Sequence, residues 1–199
     1  MRRTAGVWDL ARELGHLTLL LAISSGLGWG LTHWKLLFSL MVTFAAVTYH
    51  IYMRTWVGLG VNAVMHNRAE YRSGWFRVSK GEERLYRLLG VNRWKNRVPT
   101  NAPENFDPRL HSWEEIAQTT CQSEVVHEWN LVLSFLPLAA APLVGGFWAF
   151  LITGLLAAAA ESLFIMIQRY NRARITRLID RRNRKNRTNG LAEKGEHLK

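Results

Sequence analysis

The sequence contains a single cysteine, Cys121, so no internal disulfide can form. Its fold must therefore be held together by packing and not by a disulfide framework. A catalytic thiol needs a base beside it, and His127 lies nearly two helical turns further along the chain. We expect Cys121 to be a small residue in a helix-packing interface.

Acidic residues are also scarce. There are 15 Asp and Glu against 26 Lys and Arg, which gives a formal net charge of +11. The mean hydropathy of −0.08 hides a sharp segregation, because long apolar stretches alternate with polar, arginine-rich ones. This pattern is typical of an integral membrane protein.

Four apolar segments are recognisable in three stretches of sequence: Leu17–Leu31, Leu36–Met53 and Leu131–Ile167. A membrane-spanning helix needs roughly 20 residues, so the last stretch is too long for one span. Pro137, Pro142 and two glycines interrupt it and predict a helical hairpin. The sequence therefore predicts an all-α membrane bundle with about four membrane helices, although the first and third segments are short enough to be re-entrant or tilted.

Basic residues are nearly absent from the two short links between these segments. The first link has only Lys35 and the second has none, whereas residues 54–109 and 169–199 hold 11 each. The positive-inside rule places both termini and the middle of the chain in the cytoplasm, in a multi-pass protein of the inner or plasma membrane. The first apolar stretch lacks a small-residue cleavage site and is expected to be an anchor rather than a signal peptide.

We expect a single membrane domain over residues 1–199, in four consecutive parts. These are an N-terminal helical hairpin (1–53), a cytoplasmic segment (54–111), a C-terminal helical hairpin (112–180) and a basic tail (181–199). Within the cytoplasmic segment, the periodicity of Glu82–Leu89 predicts a short amphipathic helix, either on the bilayer surface or packed as a soluble helix. Ser112 and Glu115 form a capping-box pattern that predicts the start of a long helix.

The helix that enters the third apolar segment carries a polar stripe at spacings of three or four residues. Its members are Thr120, Glu124, His127, Asn130 and Ser134. Because unpaired polar groups are costly in hydrocarbon, this stripe is expected to line a cavity.

Glu124 and His127 lie one turn apart on the stripe, and three interpretations stay open. The pair could be a helix-surface ion pair or cap, a metal site, or a general base whose imidazole is oriented by the carboxylate. A metal site would need more carboxylates and a second Glu-x-x-His motif, neither of which the sequence provides. We therefore expect no metal and favour the general base.

Glu161 lies inside the last apolar helix, in AAAAESLF. An acidic residue at such a position costs roughly 2.5–3.5 kcal/mol on insertion scales, so it is expected to face a partner or a cavity. A structural hydrogen bond and a substrate-binding role are equally open.

The helix that carries Glu161 ends in IQRYNRARITRL, where Arg169, Arg172 and Arg174 accompany three polar neighbours. Anchoring at lipid head groups explains most of the basic charge. It explains Gln168, Tyr170 and Asn171 poorly, and arginines together with amides suit a phosphate or polyanionic ligand. Nucleic acid is not expected as a partner, since basic charge next to a membrane already has a cause.

Four motifs occur in the order WKNRVP, NFDPRL, EVVHEWN followed by SFLP, and IQRYNRAR. In these motifs the chain resembles the glycosyl-4,4'-diaponeurosporenoate acyltransferases, the small membrane enzymes of staphyloxanthin-type carotenoid biosynthesis. The resemblance runs roughly from Ser73 to Ile179, and QRYNR is its most specific part. Ala173 stands where the family often has proline, and Glu128 separates the histidine from the tryptophan that directly follows it in the family.

The resemblance implies transfer of a fatty acyl group to a sugar hydroxyl of a glycosylated carotenoid, and another glycolipid or lipid alcohol would fit as well. The donor would be a cytosolic thioester, either acyl-CoA or an acyl carrier protein, and no cofactor is expected. His127 would be the base and Glu124 its orienting carboxylate. The expected substrate-binding residues are Gln168, Arg169, Tyr170, Asn171, Arg172, Arg174 and Glu161. The alternative is a non-catalytic membrane subunit that binds lipid or pigment or anchors a partner.

Overall fold

The structure is a computed structural model that describes residues 7–98 and 102–196. Those residues contain helices and turns but no strand, which confirms the all-α prediction. The α-helices are α1 (Val7–Thr32), α2 (Lys35–Met65), α3 (Lys80–Leu88), α4 (Val91–Trp94), α5 (Trp113–Leu133), α6 (Ala141–Val144) and α7 (Phe147–Glu196). Short 3₁₀ turns cover Lys95–Arg97, Pro103–Phe106 and Leu136–Ala140. The basic start Met1-Arg2-Arg3 and the last three residues of the basic tail lie outside the described residues.

Where the sequence suggested a single domain, the contacts of the chain group into two compact units. The first consists of Met1–His66 and Val125–Ile165, and the second of Asn67–Glu124 and Met166–Lys199. The first unit carries the apolar segments, and the second carries the polar middle segment and the arginine-rich part of α7.

Three helices in the described part of the chain are long and apolar enough to cross a membrane, one fewer than the four predicted. They are Asp9–Thr32, Lys35–Met65 and Phe147–Asn189. The remaining apolar segment is divided between the end of α5, a 3₁₀ turn and the single turn of α6. Pro137 and Pro142 cause this division, since a proline ring cannot be accommodated in a helix interior.

The first unit is built on the hairpin of α1 and α2. His33 turns the chain between them in the left-handed conformation, with φ 52°. The Thr48 hydroxyl donates a 2.9 Å hydrogen bond to the hydroxyl of Thr18, and a Cβ on Gly28 would come within 3.0 Å of the Leu37 side chain. Small residues and a hydrogen bond between hydroxyl groups therefore hold the two helices close together, as in other membrane helix pairs.

The second helix continues 12 residues beyond its predicted end at Met53. The prediction took Arg54 as the start of the polar segment, but Arg54 lies inside α2. Its Nε donates a 2.7 Å hydrogen bond to Glu161 Oε1, so the guanidinium charge is neutralised within the unit. The apolar pattern then resumes up to Met65.

The chain turns at two glycines within the segment for which the sequence predicted a C-terminal hairpin. Gly145 and Gly146 both have positive φ, at 72° and 75°, and turn the chain between α6 and α7. After the turn α7 passes so close to the end of α5 that a Cβ on Gly154 would lie 3.1 Å from the carbonyl oxygen of Ser134. The Tyr49 hydroxyl from α2 donates a 2.8 Å hydrogen bond to the carbonyl oxygen of Leu133, which fixes the hairpin to the first two helices.

Two capping boxes start helices of the second unit. The predicted one is confirmed, because the Glu115 amide donates to Ser112 Oγ at 3.2 Å and Glu115 Oε2 accepts from the Ser112 amide at 2.8 Å. Ser79 and Glu82 form the same reciprocal pair at the start of α3. The predicted amphipathic helix is thereby present, with Tyr86 buried.

The core of the second unit lies between α5 and α7. It consists of Ile116, Ala117, Ile175 and Ile179, against which Tyr71, Phe106 and Trp113 are packed. This core positions the polar end of α5 beside the arginine-rich part of α7.

Substitution of Gly154 tests the packing within the hairpin. We expect Gly154→Val to cost about 1–3 kcal/mol, because its side chain would overlap the carbonyl oxygen of Ser134 and the ring of Phe135. Gly60→Val is the matched control, since Gly60 in α2 has no other group within 4 Å of an added Cβ. Thermal unfolding in detergent should show a lower midpoint for the first variant alone. Equal midpoints would contradict the close approach.

Candidate active site

A histidine, a carboxylate and an arginine meet inside the apolar first unit. His127 Nδ1 lies 2.7 Å from Glu161 Oε2, and the other oxygen of the same carboxylate accepts the hydrogen bond from Arg54. Glu161 is only 2% exposed, while the His127 ring lies parallel to the Phe164 ring with centroids 4.8 Å apart. The three side chains come from α5, α7 and α2, so the tertiary structure assembles the cluster.

This arrangement is suited to proton transfer. A carboxylate on Nδ1 fixes the imidazole tautomer with its hydrogen on Nδ1, which leaves Nε2 free to accept a proton. The Arg54 guanidinium balances the carboxylate before the imidazole is protonated, and the carboxylate stabilises the imidazolium afterwards. Fixing the ring between Glu161 and Phe164 also limits the orientations that it can adopt.

A second histidine on α2 belongs to the same unit. His50 is 9% exposed, and neither of its ring nitrogens has a hydrogen-bond partner among the described residues. Its carbonyl oxygen accepts a 2.8 Å hydrogen bond from Arg54 Nη1. Sequence reasoning assigned no role to His50 or Arg54. Glu161 was the sequence feature that could have indicated a role for Arg54, since a carboxylate in an apolar helix needs a cation from another helix.

Glu124 does not pair with His127, the partner that its spacing of one helical turn favoured. Its carboxylate is fully buried in the second unit, where Arg169 Nη1 donates to it at 2.6 Å and Arg172 forms an ion pair with it. Glu161 is the carboxylate that contacts His127. A desolvated carboxylate is better stabilised by permanently charged guanidinium groups than by an imidazole, which explains why one turn of helical spacing did not determine the pairing.

Arg169 donates to four groups of the second unit. Besides Glu124, its acceptors are Glu82 at 2.7 Å and the carbonyl oxygens of Trp75 and Arg77 at 3.1 and 3.2 Å. The arginine therefore ties the loop before α3, and α3 itself, to α5 and α7.

Arg172 is 1% exposed and has a similar position in the same network. It donates from Nε and Nη2 to the carbonyl oxygen of Phe76, at 3.0 and 2.8 Å. Both arginines of the QRYNR motif thus engage protein acceptors, whereas Arg174, two residues further on, forms no ion pair among residues 9–98 and 102–189.

A cavity of about 290 Å³ opens beside α7 in the second unit. Its wall combines four polar residues with six apolar ones: Thr120, Gln168, Asn171 and Arg174, and Phe106, Trp113, Ile116, Ile167, Ile175 and Leu178. Gln168 is 8% exposed, and its Oε1 has no hydrogen-bond donor among the residues that the structure describes. The structure therefore brings Gln168, Asn171 and Arg174 to one cavity, and places Tyr170 instead beside the ring of Tyr86, at a centroid distance of 6.5 Å.

Cys121 is fully buried on α5, as the sequence predicted. Burial raises the pKa of the thiol to about 12, and the nearby Arg172 lowers it only in part. The thiol is therefore a packing residue with very little thiolate at neutral pH.

A model of the family described as glycosyl-4,4'-diaponeurosporenoate acyltransferase matches residues 72–181, which is more than half of the chain. The chain belongs to this family. At family level it is thus an enzyme, an acyltransferase of carotenoid biosynthesis, and the alternative of a non-catalytic subunit is set aside. Comparisons with curated proteins and with solved structures gave no match.

The residues matched by this acyltransferase family include His127, Glu161 and the polar lining of the cavity. They do not include Arg54 or His50, which come from α2. The cluster of His127, Glu161 and Arg54 therefore combines two family-matched side chains with one from the N-terminal hairpin.

The buried glutamate–arginine network predicts a large effect of one substitution. Glu124→Gln would leave Arg169 and Arg172 with an uncompensated buried charge, at a cost of about 3–5 kcal/mol. We expect a clearly lower thermal midpoint in detergent, or loss of the folded protein. Glu104→Gln changes an exposed side chain by the same chemistry and should have no measurable effect. A Glu124→Gln protein as stable as this control would contradict the network.

The raised pKa of Cys121 predicts slow chemistry at the thiol. With a pKa of about 12, roughly one thiol in ten thousand is ionised at pH 8. Native protein should therefore react slowly with N-ethylmaleimide and fully only after denaturation. Asn92→Cys, at an exposed position in α4, should add one rapidly reacting thiol. Rapid labelling of Cys121 in the native protein would show that the site is open.

Proposed function

We propose that the chain is a membrane-embedded O-acyltransferase that moves a fatty acyl group from a thioester to a hydroxyl of a glycosylated carotenoid or a similar glycolipid. The observation that carries the catalytic part is the buried contact of 2.7 Å between His127 Nδ1 and Glu161 Oε2, with Arg54 on the other carboxylate oxygen. In this proposal His127 is the general base. Glu161 takes the orienting role that the sequence suggested for Glu124, and is not a substrate-binding residue.

The reaction proceeds by addition and elimination at the thioester carbonyl. His127 Nε2 removes the proton of the acceptor hydroxyl while the hydroxyl oxygen attacks the carbonyl carbon. The tetrahedral intermediate then expels the thiolate, and the imidazolium returns the proton to the leaving sulfur. One C–O bond forms, one C–S bond breaks, and no external oxidant, reductant or cofactor is needed. General acid–base help of this kind contributes about 10²–10⁴-fold.

Membrane location suits an acceptor whose body is apolar. The three apolar helices are long enough to cross a bilayer, and many of their outward leucines are exposed, as lipid-facing side chains would be. We place the chain as a multi-pass protein of the inner or plasma membrane. Both termini are cytoplasmic on the positive-inside rule, with the broken segment carrying the chain into the membrane and α7 returning it to the cytoplasmic side.

The donor is a cytosolic thioester carried by coenzyme A or by an acyl carrier protein. The candidate substrate-binding side chains are those that line the cavity of the second unit: Gln168, Asn171 and Arg174. Arg169, Arg172 and Glu124 act as positioning residues, because their charges are paired with one another and with Glu82. Tyr170 contributes its ring rather than its hydroxyl, through its cation–π contacts.

The base assignment is tested by one substitution applied to two histidines. His127→Asn should lower acyl transfer about 10²–10⁴-fold, because the base is lost. His33→Asn, in the exposed turn between α1 and α2, should keep full activity, since asparagine also tolerates positive φ. Transfer is measured with a radiolabelled acyl donor and a glycosylated carotenoid in lipid nanodiscs. An active His127→Asn protein would exclude the histidine as base.

The reaction itself is tested in a plain bacterial host that accumulates a glycosylated carotenoid. Expression of the protein should produce acylated derivatives that mass spectrometry detects, and His127→Asn should not. If a different lipid alcohol of the host becomes acylated instead, the carotenoid acceptor is replaced while the reaction class stands.

A further inference from the structure

We propose that Lys95, Arg174 and the cavity beside Gln168 form a binding site for the phosphopantetheine arm of the acyl donor. Lys95 binds the phosphate together with Arg174, and Gln168 accepts a hydrogen bond from an amide N–H of the arm. This inference rests on the proposed function, since it specifies how that enzyme recognises its thioester.

The phosphate part of the site is a pair of cations held on one aromatic ring. Lys95 Nζ and Arg174 Cζ each lie 5.9 Å from the centroid of the Tyr170 ring. Burial and then the positive charge of Arg174 lower the pKa of Lys95, in keeping with the two cations sharing one ring. Two cations held together in this way favour an anion between or beside them.

Four other arginines of the second unit have carboxylate partners, in contrast to this pair. Arg177 lies 3.5 Å from Glu83, Arg72 lies 2.7 Å from Asp180, and Arg169 and Arg172 share Glu124. Neither Lys95 nor Arg174 has an acidic partner among residues 9–98 and 102–189. An arginine and a lysine without a counter-charge provide the donors that a phosphate group requires.

The amide part of the site is inside the cavity that Arg174 also lines. Gln168 is 92% buried there, and leaving its Oε1 without a donor costs about 1–3 kcal/mol. An acceptor of this kind selects a ligand that brings an N–H or O–H group. The pantetheine arm contains two amides, and Asn171 on the same wall adds a second amide for the arm.

The volume and lining of the cavity also fit this arm. Its volume of about 290 Å³ is close to the lower end of ligand-sized pockets, roughly 300 Å³. Ile116, Ile167 and Ile175 supply an apolar wall for the methyl and methylene groups. A fatty acyl chain would leave Gln168 unpaired, and an uncharged sugar would leave the two cations without an anion, so phosphopantetheine satisfies more of the site than either.

Isothermal titration of the full chain in nanodiscs tests the site with 4'-phosphopantetheine and with pantetheine, which lacks the phosphate. We expect Lys95→Ala and Arg174→Ala each to weaken phosphopantetheine binding at least tenfold while changing pantetheine binding little. Gln168→Leu should weaken the binding of both. Lys185→Ala and Arg187→Ala, at exposed positions further along α7, remove the same charges and should leave both affinities unchanged.

Further arms of the experiment identify the source of the phosphate. Coenzyme A and phosphopantetheinylated acyl carrier protein should both bind more weakly to the variants than to the wild-type protein. The carrier that the wild-type protein binds more tightly is the donor carrier. If the variants lose binding to phosphatidylglycerol vesicles but keep their affinity for phosphopantetheine, the cation pair binds lipid head groups and the inference is overturned.

The donor-site proposal and the base proposal would be contradicted by different measurements. A wild-type protein that transfers acyl groups without binding phosphopantetheine, or whose affinity is equal in all variants, overturns the donor site alone. A protein that binds phosphopantetheine as expected, but whose transfer survives His127→Asn, overturns the base alone. Lys95 and Arg174 are not in the buried core, so circular dichroism should show folded variants.

Discussion

A carboxylate that is buried among apolar helices must find a cation, and this requirement organises both units of the protein. Glu161 and Glu124 are 2% and 0% exposed, and each would be far too costly if left unpaired. Glu161 is neutralised by Arg54 and contacts His127, whereas Glu124 is neutralised by Arg169 and Arg172. The same physical constraint thus yields a carboxylate–imidazole pair suited to proton transfer in the first unit and a network that connects α3, α5 and α7 in the second.

These ion pairs divide the many basic side chains of the protein into groups with different roles. A net charge of +11 says only that arginine and lysine are in excess. Once Arg54, Arg169 and Arg172 are assigned to buried carboxylates, Arg174 at the cavity of the second unit and Lys95 on the neighbouring Tyr170 ring are left without an ion pair among residues 9–98 and 102–189. Ligand recognition can therefore be separated from membrane anchoring by asking which cations have partners.

Local features of the sequence predicted local features of the fold. The Ser112–Glu115 capping box starts α5 because both groups lie within one turn, and the glycines after Pro142 turn the hairpin because they tolerate positive φ. The end of α2 and the number of spans were predicted less well. Arg54 was taken as a boundary because its partner is remote in sequence. The prolines were expected to separate two spans, whereas the part of the chain before the turn is itself broken into short helical pieces.

The sequence by itself determined that the chain is helical, that its apolar segments suit a bilayer, and that Glu161 in the last of them needs a partner. Only the tertiary structure decided which partner each charged side chain has. Arg54 and Glu161 are 107 residues apart, and Arg169 and Glu82 are 87 apart. Helical spacing relates residues three or four positions apart, whereas pairs this remote depend on which helix faces meet, and no local pattern specifies that.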